Sequence, residues 1–171
     1  DTGKGWNVLI DAILELRLSG DFAGKRVLFV GYGEQAEMLN EKINDLDLSD
    51  CCYYLGPKTH RELSELYNQA DIMIFPTMLY ESLGLVGIEA MACGCPVIGS
   101  DIGCLPEYIK EGITGFLFEP GNSHELAERI VDFYKLTEKQ RNTMRLEAIR
   151  YVDKYESRKI SQALINKIKE I

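Results

Sequence analysis

Five short apolar runs alternate with helix-spaced segments along this chain, and that alternation limits its fold more than any other feature. When a helix separates each strand from the next, the chain returns to the same end of the sheet, so successive strands pair in parallel. The runs fall at residues 26–30, 52–55, 71–75, 96–99 and 115–118. Asp71, Ile72, Met73, Ile74 and Phe75 form a near-continuous apolar strand stopped by Pro76, as expected where both faces of a sheet are covered. Around these runs, Trp6, Leu9, Ile10, Ile13 and Leu16 keep helical spacing up to Gly20, and Ala36, Leu39, Ile43 and Leu46 repeat the pattern. Thr59 and Glu62 make a capping box ahead of Leu63, Leu66 and Ala70. Further helices are expected at 122–136, 137–151 and 157–168, with a second capping box at Thr137 and Gln140. The sequence therefore predicts an α/β fold: a doubly wound, Rossmann-like parallel sheet with helices on both faces. No repeat or linker interrupts it, so residues 1–171 are expected to form a single domain. A helix comes first, without the strand that usually opens such a domain, which predicts a segment truncated just after that strand.

Composition narrows the function. A formal net charge of −8 argues against a general nucleic-acid binder, which would concentrate Lys and Arg against phosphate. A small phosphorylated ligand needs only a few local donors and stays compatible. No apolar run reaches the length of a membrane span, and the opening residues lack the pattern of a signal peptide. Cys51, Cys52, Cys93, Cys95 and Cys104 are odd in number and too closely spaced for a disulfide framework. His60 and His124 are too few to complete a zinc spacing, so buried, reduced thiols and a cytoplasmic location are expected.

Two glycine motifs compete for the site. Gly31, Gly33 and Ala36 fit G-x-G-x-x-A between a strand and a helix, the dinucleotide fingerprint, with Asp50 roughly where a ribose-binding acid would fall. That fingerprint normally follows the first strand, whereas a whole helix precedes it here. What survives is physical: the glycines allow close backbone approach, and a helix N-terminus favours negative charge. The stronger constellation places Glu81 and Glu89 around Gly84 and Gly87, directly after the strand ending at Pro76. Gly84 and Gly87 let the amides of Leu85 and Val86 open a helix, a ready site for a diphosphate. Glu89, within the helix, can accept two hydrogen bonds from a ribose diol, while Glu81 on the loop is free to meet a sugar. A glycosidase also uses paired carboxylates, but they face each other across a cleft and need no anion-binding turn. Taken alone, the same residues also fit two solvated glutamates around a turn glycine.

The wider pattern resembles a known family. Between Lys4 and about Tyr134, the chain is similar to the C-terminal, donor-binding domain of the family 4 (group 1) retaining glycosyltransferases, which have the two-domain GT-B fold. Glu81 to Glu89 matches that family's E-x7-E motif, and Asp71, Phe75, Pro76, Gly94, Pro96, Pro106, Glu107 and Gly115 sit where the family has similar residues. The resemblance implies transfer of a sugar from a nucleoside diphosphate to an acceptor with retention of anomeric configuration. It assigns Glu89 to the ribose and Glu81, as the catalytic-site carboxylate, to the transferred sugar. Gly84, Leu85 and Val86 would meet sugar hydroxyls and phosphate. Lys4 matches the lysine of an Arg-x4-Lys diphosphate grip whose arginine would precede residue 1.

Charge builds on the β-phosphate as the nucleoside diphosphate leaves, and Lys4 with helix amides would stabilise it. No metal and no cofactor are expected beyond the nucleotide-sugar donor. Leu55 and Gly56 are expected to offer backbone groups to the base, with Gly33 nearby at the carboxyl ends of the strands. Tyr53 and Tyr54 are read as packing residues and His60 as part of a helix start. The acceptor would bind through an absent N-terminal domain, so the 171-residue segment is expected to be inactive alone. Peripheral membrane contact by the full-length protein is left open. Close backbone approach at Gly84 predicts that Gly84→Val blocks the sugar sterically. The rival readings are a non-catalytic sugar-nucleotide-binding module, a sugar-nucleotide epimerase and a nicotinamide-type dinucleotide domain.

Overall fold

A computed structural model of the protein describes residues 2–155; the helix expected at 157–168 lies outside the described residues. The order is α1 (Trp6–Ser19), β1 (Val27–Phe29), α2 (Ala36–Asp45), β2 (Cys52–Tyr54), α3 (His60–Gln69), β3 (Met73–Phe75), α4 (Leu85–Ala92), β4 (Val97–Ser100), α5 (Leu105–Tyr108), β5 (Gly115–Phe118), α6 (Ser123–Lys135) and α7 (Glu138–Val152). Every expected strand is present: β1, β2 and β3 are a residue or two shorter, β4 is shifted by one residue to include Ser100, and β5 matches its expected bounds. The four-residue α5 has no counterpart in the sequence reading, because Leu105, Pro106, Glu107 and Tyr108 are too few to show a period.

All strand pairs are parallel, but they form two ladders rather than one sheet: β1 with β2, and β3–β4–β5. Side chains alternate between two apolar clusters, as a doubly covered sheet requires. Ile74, Ile98, Phe116 and Phe118 face the cluster built with α1, α2 and α6. Met73, Phe75, Val97 and Leu117 face the cluster built with α4, α5 and α7. Val27 and Phe29 of β1 pack on the first cluster too, so both ladders share one core. α1 lies along α6, and α4 along α7.

Helix caps divide by position. Thr59, Asn122 and Thr137 each accept a backbone N–H at the start of α3, α6 and α7, and Thr59 and Thr137 complete their capping boxes. No side chain caps α1, α2 or α4. These three open ends therefore leave their first amides to other partners.

Four of the five cysteines are buried and all are free thiols. Burial is the main cause that pushes Cys52 and Cys95 up to about 12, so neither forms appreciable thiolate near neutrality. Cys93 alone is only partly covered. Native protein treated with an alkylating reagent near pH 8 is thus expected to label at Cys93 first, with the others reacting only on unfolding. Mass spectrometry of the labelled protein checks this, and rapid labelling of Cys95 would contradict the described packing.

Candidate functional site

The site is built where α1 meets the loop after β3. A Cβ at Gly5 would lie 1.7 Å from the Pro76 carbonyl oxygen, so only glycine lets α1 start this close to the strand end. The Met78 amide donates to the Gly3 carbonyl at 2.8 Å. These contacts carry Lys4 over the loop, where its ammonium bonds the Glu81 carboxylate at 2.6 Å. The Lys4 side chain is 57% exposed and that of Glu81 only 19%, so the carboxylate is the anchored partner and the lysine the accessible one. Thr77, fully buried, accepts a bond from the Leu79 amide at 3.1 Å, and its hydroxyl lies 3.4 Å from the same Glu81 oxygen. Sequence reasoning missed Thr77. Its one signal was a hydroxyl residue directly after the strand-ending proline.

Gly84 adopts left-handed geometry (φ 60, ψ 48) at the N-cap of α4, which is the turn expected there. Leu85 and Val86 follow it, exposed, at the helix's uncapped first turn. One expectation is corrected. A Cβ at Gly84 would point into the protein, 2.7 Å from the Tyr108 hydroxyl and 3.2 Å from the Phe75 ring, not outward toward a ligand. The backbone needs glycine here for its own packing and φ, so a side chain would displace the turn before it met a sugar.

Glu89 sits on the second turn of α4, half-buried. Among the described residues no hydrogen bond or ion pair engages its carboxylate. Tyr67 on α3 lies near enough to feel it: burial, and then the Glu89 charge, push that phenol up to about 12. Glu89 is thus held on one rigid element with its carboxylate unengaged.

Gly33, Leu55 and Gly56 lie at the carboxyl ends of the other ladder. The Leu55 amide donates to the Phe29 carbonyl, and the Gly31 amide to the Gly56 carbonyl at 3.0 Å. The Tyr54 hydroxyl donates to the Gly31 carbonyl at 2.9 Å, so this tyrosine ties down the glycine loop rather than facing a base. Trp6, at the start of α1, donates its indole N–H to Gln35 at 2.8 Å, which links this loop to the Lys4 end of α1. Among the described residues no hydrogen bond joins Gly33, Leu55 or Gly56 to the Glu81 group. Asp50 is engaged in an ion pair with Arg17, away from either glycine turn, which removes the ribose acid of the dinucleotide fingerprint. His60 is the first residue of α3, in keeping with a helix start.

Parallel strands wrapped by helices, with an uncapped glycine turn at their carboxyl ends, define a Rossmann-like domain of the GT-B type. Residues 1–150 match the model of the group 1 glycosyl transferases, and the chain belongs to that family. It is 35% identical over 117 residues to N-acetyl-alpha-D-glucosaminyl L-malate synthase of Bacillus anthracis, a match covering 68% of this chain and 30% of the relative. It is 32% identical over 120 residues to the D-inositol 3-phosphate glycosyltransferase of Mycolicibacterium smegmatis, covering 67% and 27%. The chain thus spans under a third of the length of these curated relatives. The Anabaena protein HepE, crystallised with UDP, superposes with a TM-score of 0.86 at 26% identity over 100% of this chain and 46% of its own. Sucrose-phosphate synthase from Thermosynechococcus elongatus gives 0.83 at 25% identity, over 98% and 42%. No helix among the described residues is long and apolar enough to cross a membrane.

Proposed function

We propose that this domain binds the nucleoside diphosphate sugar donor of a retaining, family 4 glycosyltransferase, and that transfer requires a second, acceptor-binding domain. The observation that carries the reading is the convergence of Lys4, Glu81 and the uncapped start of α4 on one loop. The Lys4 ammonium, shared with Glu81, and two helix amides offer donors suited to a diphosphate without a metal. Glu89, one turn further along the same helix, stands ready for the ribose. Glu81 lies beside the transferred sugar, where its ion pair with Lys4 couples phosphate binding to carboxylate position. The UDP complexes of the similar HepE support this choice of ligand class, with uridine as the first base to try.

The exposure of Tyr80 (81%), Leu83 (43%), Leu85 (59%) and Val86 (40%) around the turn supports a cleft completed by another body. Closure over the donor would exclude water and strengthen each charge contact. The break between the β1–β2 and β3–β4–β5 ladders suits one further parallel strand, which would carry the arginine partner of Lys4. Free, mostly buried thiols support a reducing, cytoplasmic setting.

The test is calorimetry of the full-length protein with UDP-, GDP- and ADP-sugars, followed by Glu81→Gln in the enzyme that binds one of them. Glu81→Gln is expected to leave nucleoside diphosphate affinity nearly unchanged while lowering transfer. Normal turnover in that variant would remove Glu81 from the site, and no binding of any donor would end the donor reading.

A further inference from the structure

The turn carrying Glu81 and opening α4 is braced from behind by the segment from Gly103 to Tyr108, to which the donor reading gives no role. At one end, a Cβ at Gly103 would sit 2.5 Å from the Glu81 carbonyl oxygen and 2.8 Å from its nitrogen, and Gly103 itself holds φ +60. The next amide, Cys104, donates to the Glu81 carbonyl at 3.0 Å. At the other end, Tyr108 is 1% exposed and donates its hydroxyl to the Gly84 carbonyl at 3.2 Å. That hydroxyl lies 2.5 Å from where a Cβ at Gly87 would be. Both glycines of the turn are therefore spaces cut to fit one phenol.

The geometry has a direct consequence for the ligand-facing side. The Gly84 carbonyl and the Leu85 N–H belong to one planar trans peptide and point in opposite directions. The Gly84 carbonyl accepts from both the Gly87 amide, at 2.9 Å, and the Tyr108 hydroxyl, and with these two donors holding it on the helix side the opposed Leu85 N–H faces the open turn assigned to the diphosphate. The Cys104 bond fixes the Glu81 backbone in the same way. We propose that Tyr108, backed by the Gly103 backbone, is a positioning residue that sets the direction of the first α4 amides and their distance from Glu81. This rests on the donor reading above. Burial, then the charges of Cys104 and Glu81, raise the Tyr108 phenol above its ordinary value, so the hydroxyl stays a donor wherever the protein is folded.

The experiment compares Tyr108→Phe, Gly87→Ala and the double variant in the intact protein, reading UDP affinity, thermal unfolding and the amide resonances of Leu85 and Val86. Tyr108→Phe keeps the ring and the fold, moves both resonances and weakens UDP binding about fivefold, the usual effect of one lost hydrogen bond. Gly87→Ala alone weakens binding more, because its new methyl strikes the hydroxyl. In the double variant the nearest remaining ring atoms stand 3.1 Å away, so removing the hydroxyl restores part of the affinity. Relief of the same clash also restores stability, so the decisive readings are UDP affinity and the Leu85 and Val86 resonances, which change in Tyr108→Phe by more than its unfolding midpoint accounts for. Unmoved Leu85 and Val86 resonances in Tyr108→Phe, or losses that merely add in the double variant, would overturn the proposal. If wild-type protein binds none of UDP, GDP and ADP, the donor reading falls with it, an outcome distinct from intact UDP binding with unmoved resonances.

Discussion

Gly84→Val is expected to weaken free UDP and a UDP-sugar equally and to lower folding stability by about 2–5 kcal/mol. Two costs combine. A β-branched residue at φ 60 is strained in the left-handed region, and its Cβ would arrive 2.7 Å from the buried Tyr108 hydroxyl and 3.2 Å from Phe75. Relief requires the turn to move, which carries the Leu85 and Val86 amides away from the diphosphate position. Urea unfolding with calorimetry on free and sugar-bearing nucleotide separates the possibilities. Unchanged stability with selective loss of the sugar conjugate would show that the side chain points outward after all. The structural result thus replaces a pocket-blocking argument with a backbone one.

Glu89→Gln should do the opposite, costing nucleotide affinity about 1–3 kcal/mol, the range for charge-assisted hydrogen bonds, while stability changes by less than about 0.5 kcal/mol. The separation follows because no described residue hydrogen-bonds or ion-pairs with the Glu89 carboxylate. Glutamine keeps the shape and one carbonyl acceptor but loses the charge that binds a diol most strongly. The effect should be shared by UDP and UDP-sugar, since the ribose is common to both, whereas Glu81→Gln should separate donor binding from transfer. Calorimetry at fixed pH on folded variants reads both. An affinity for UDP indistinguishable from wild type would detach Glu89 from the ribose.

Periodicity and motif spacing carried much of this protein in the sequence alone. The five apolar runs indicated the parallel α/β class, because a helix between successive strands returns the chain to the same end of the sheet. The spacing of Glu81, Gly84, Gly87 and Glu89 located the glycine turn proposed as the donor site, because a left-handed N-cap and an uncapped helix start are local requirements. Thr59 and Thr137 were legible as caps for the same reason, since a capping box closes within four residues.

What lay beyond reach depends on contacts between distant segments. Lys4 meets Glu81 across 77 positions, and Trp6 meets Gln35 across 29, pairs that no window on the sequence connects. The division of the strands into two ladders is a matter of which edges hydrogen-bond, and strand composition does not encode it. Most of all, the sequence marked Gly84 as a place where a ligand comes close, while the tertiary structure showed that the close neighbour is Tyr108. A glycine records only that a Cβ is unwelcome. Whether the excluded volume belongs to a ligand or to the protein's own core is decided by the packing of α5 behind the turn.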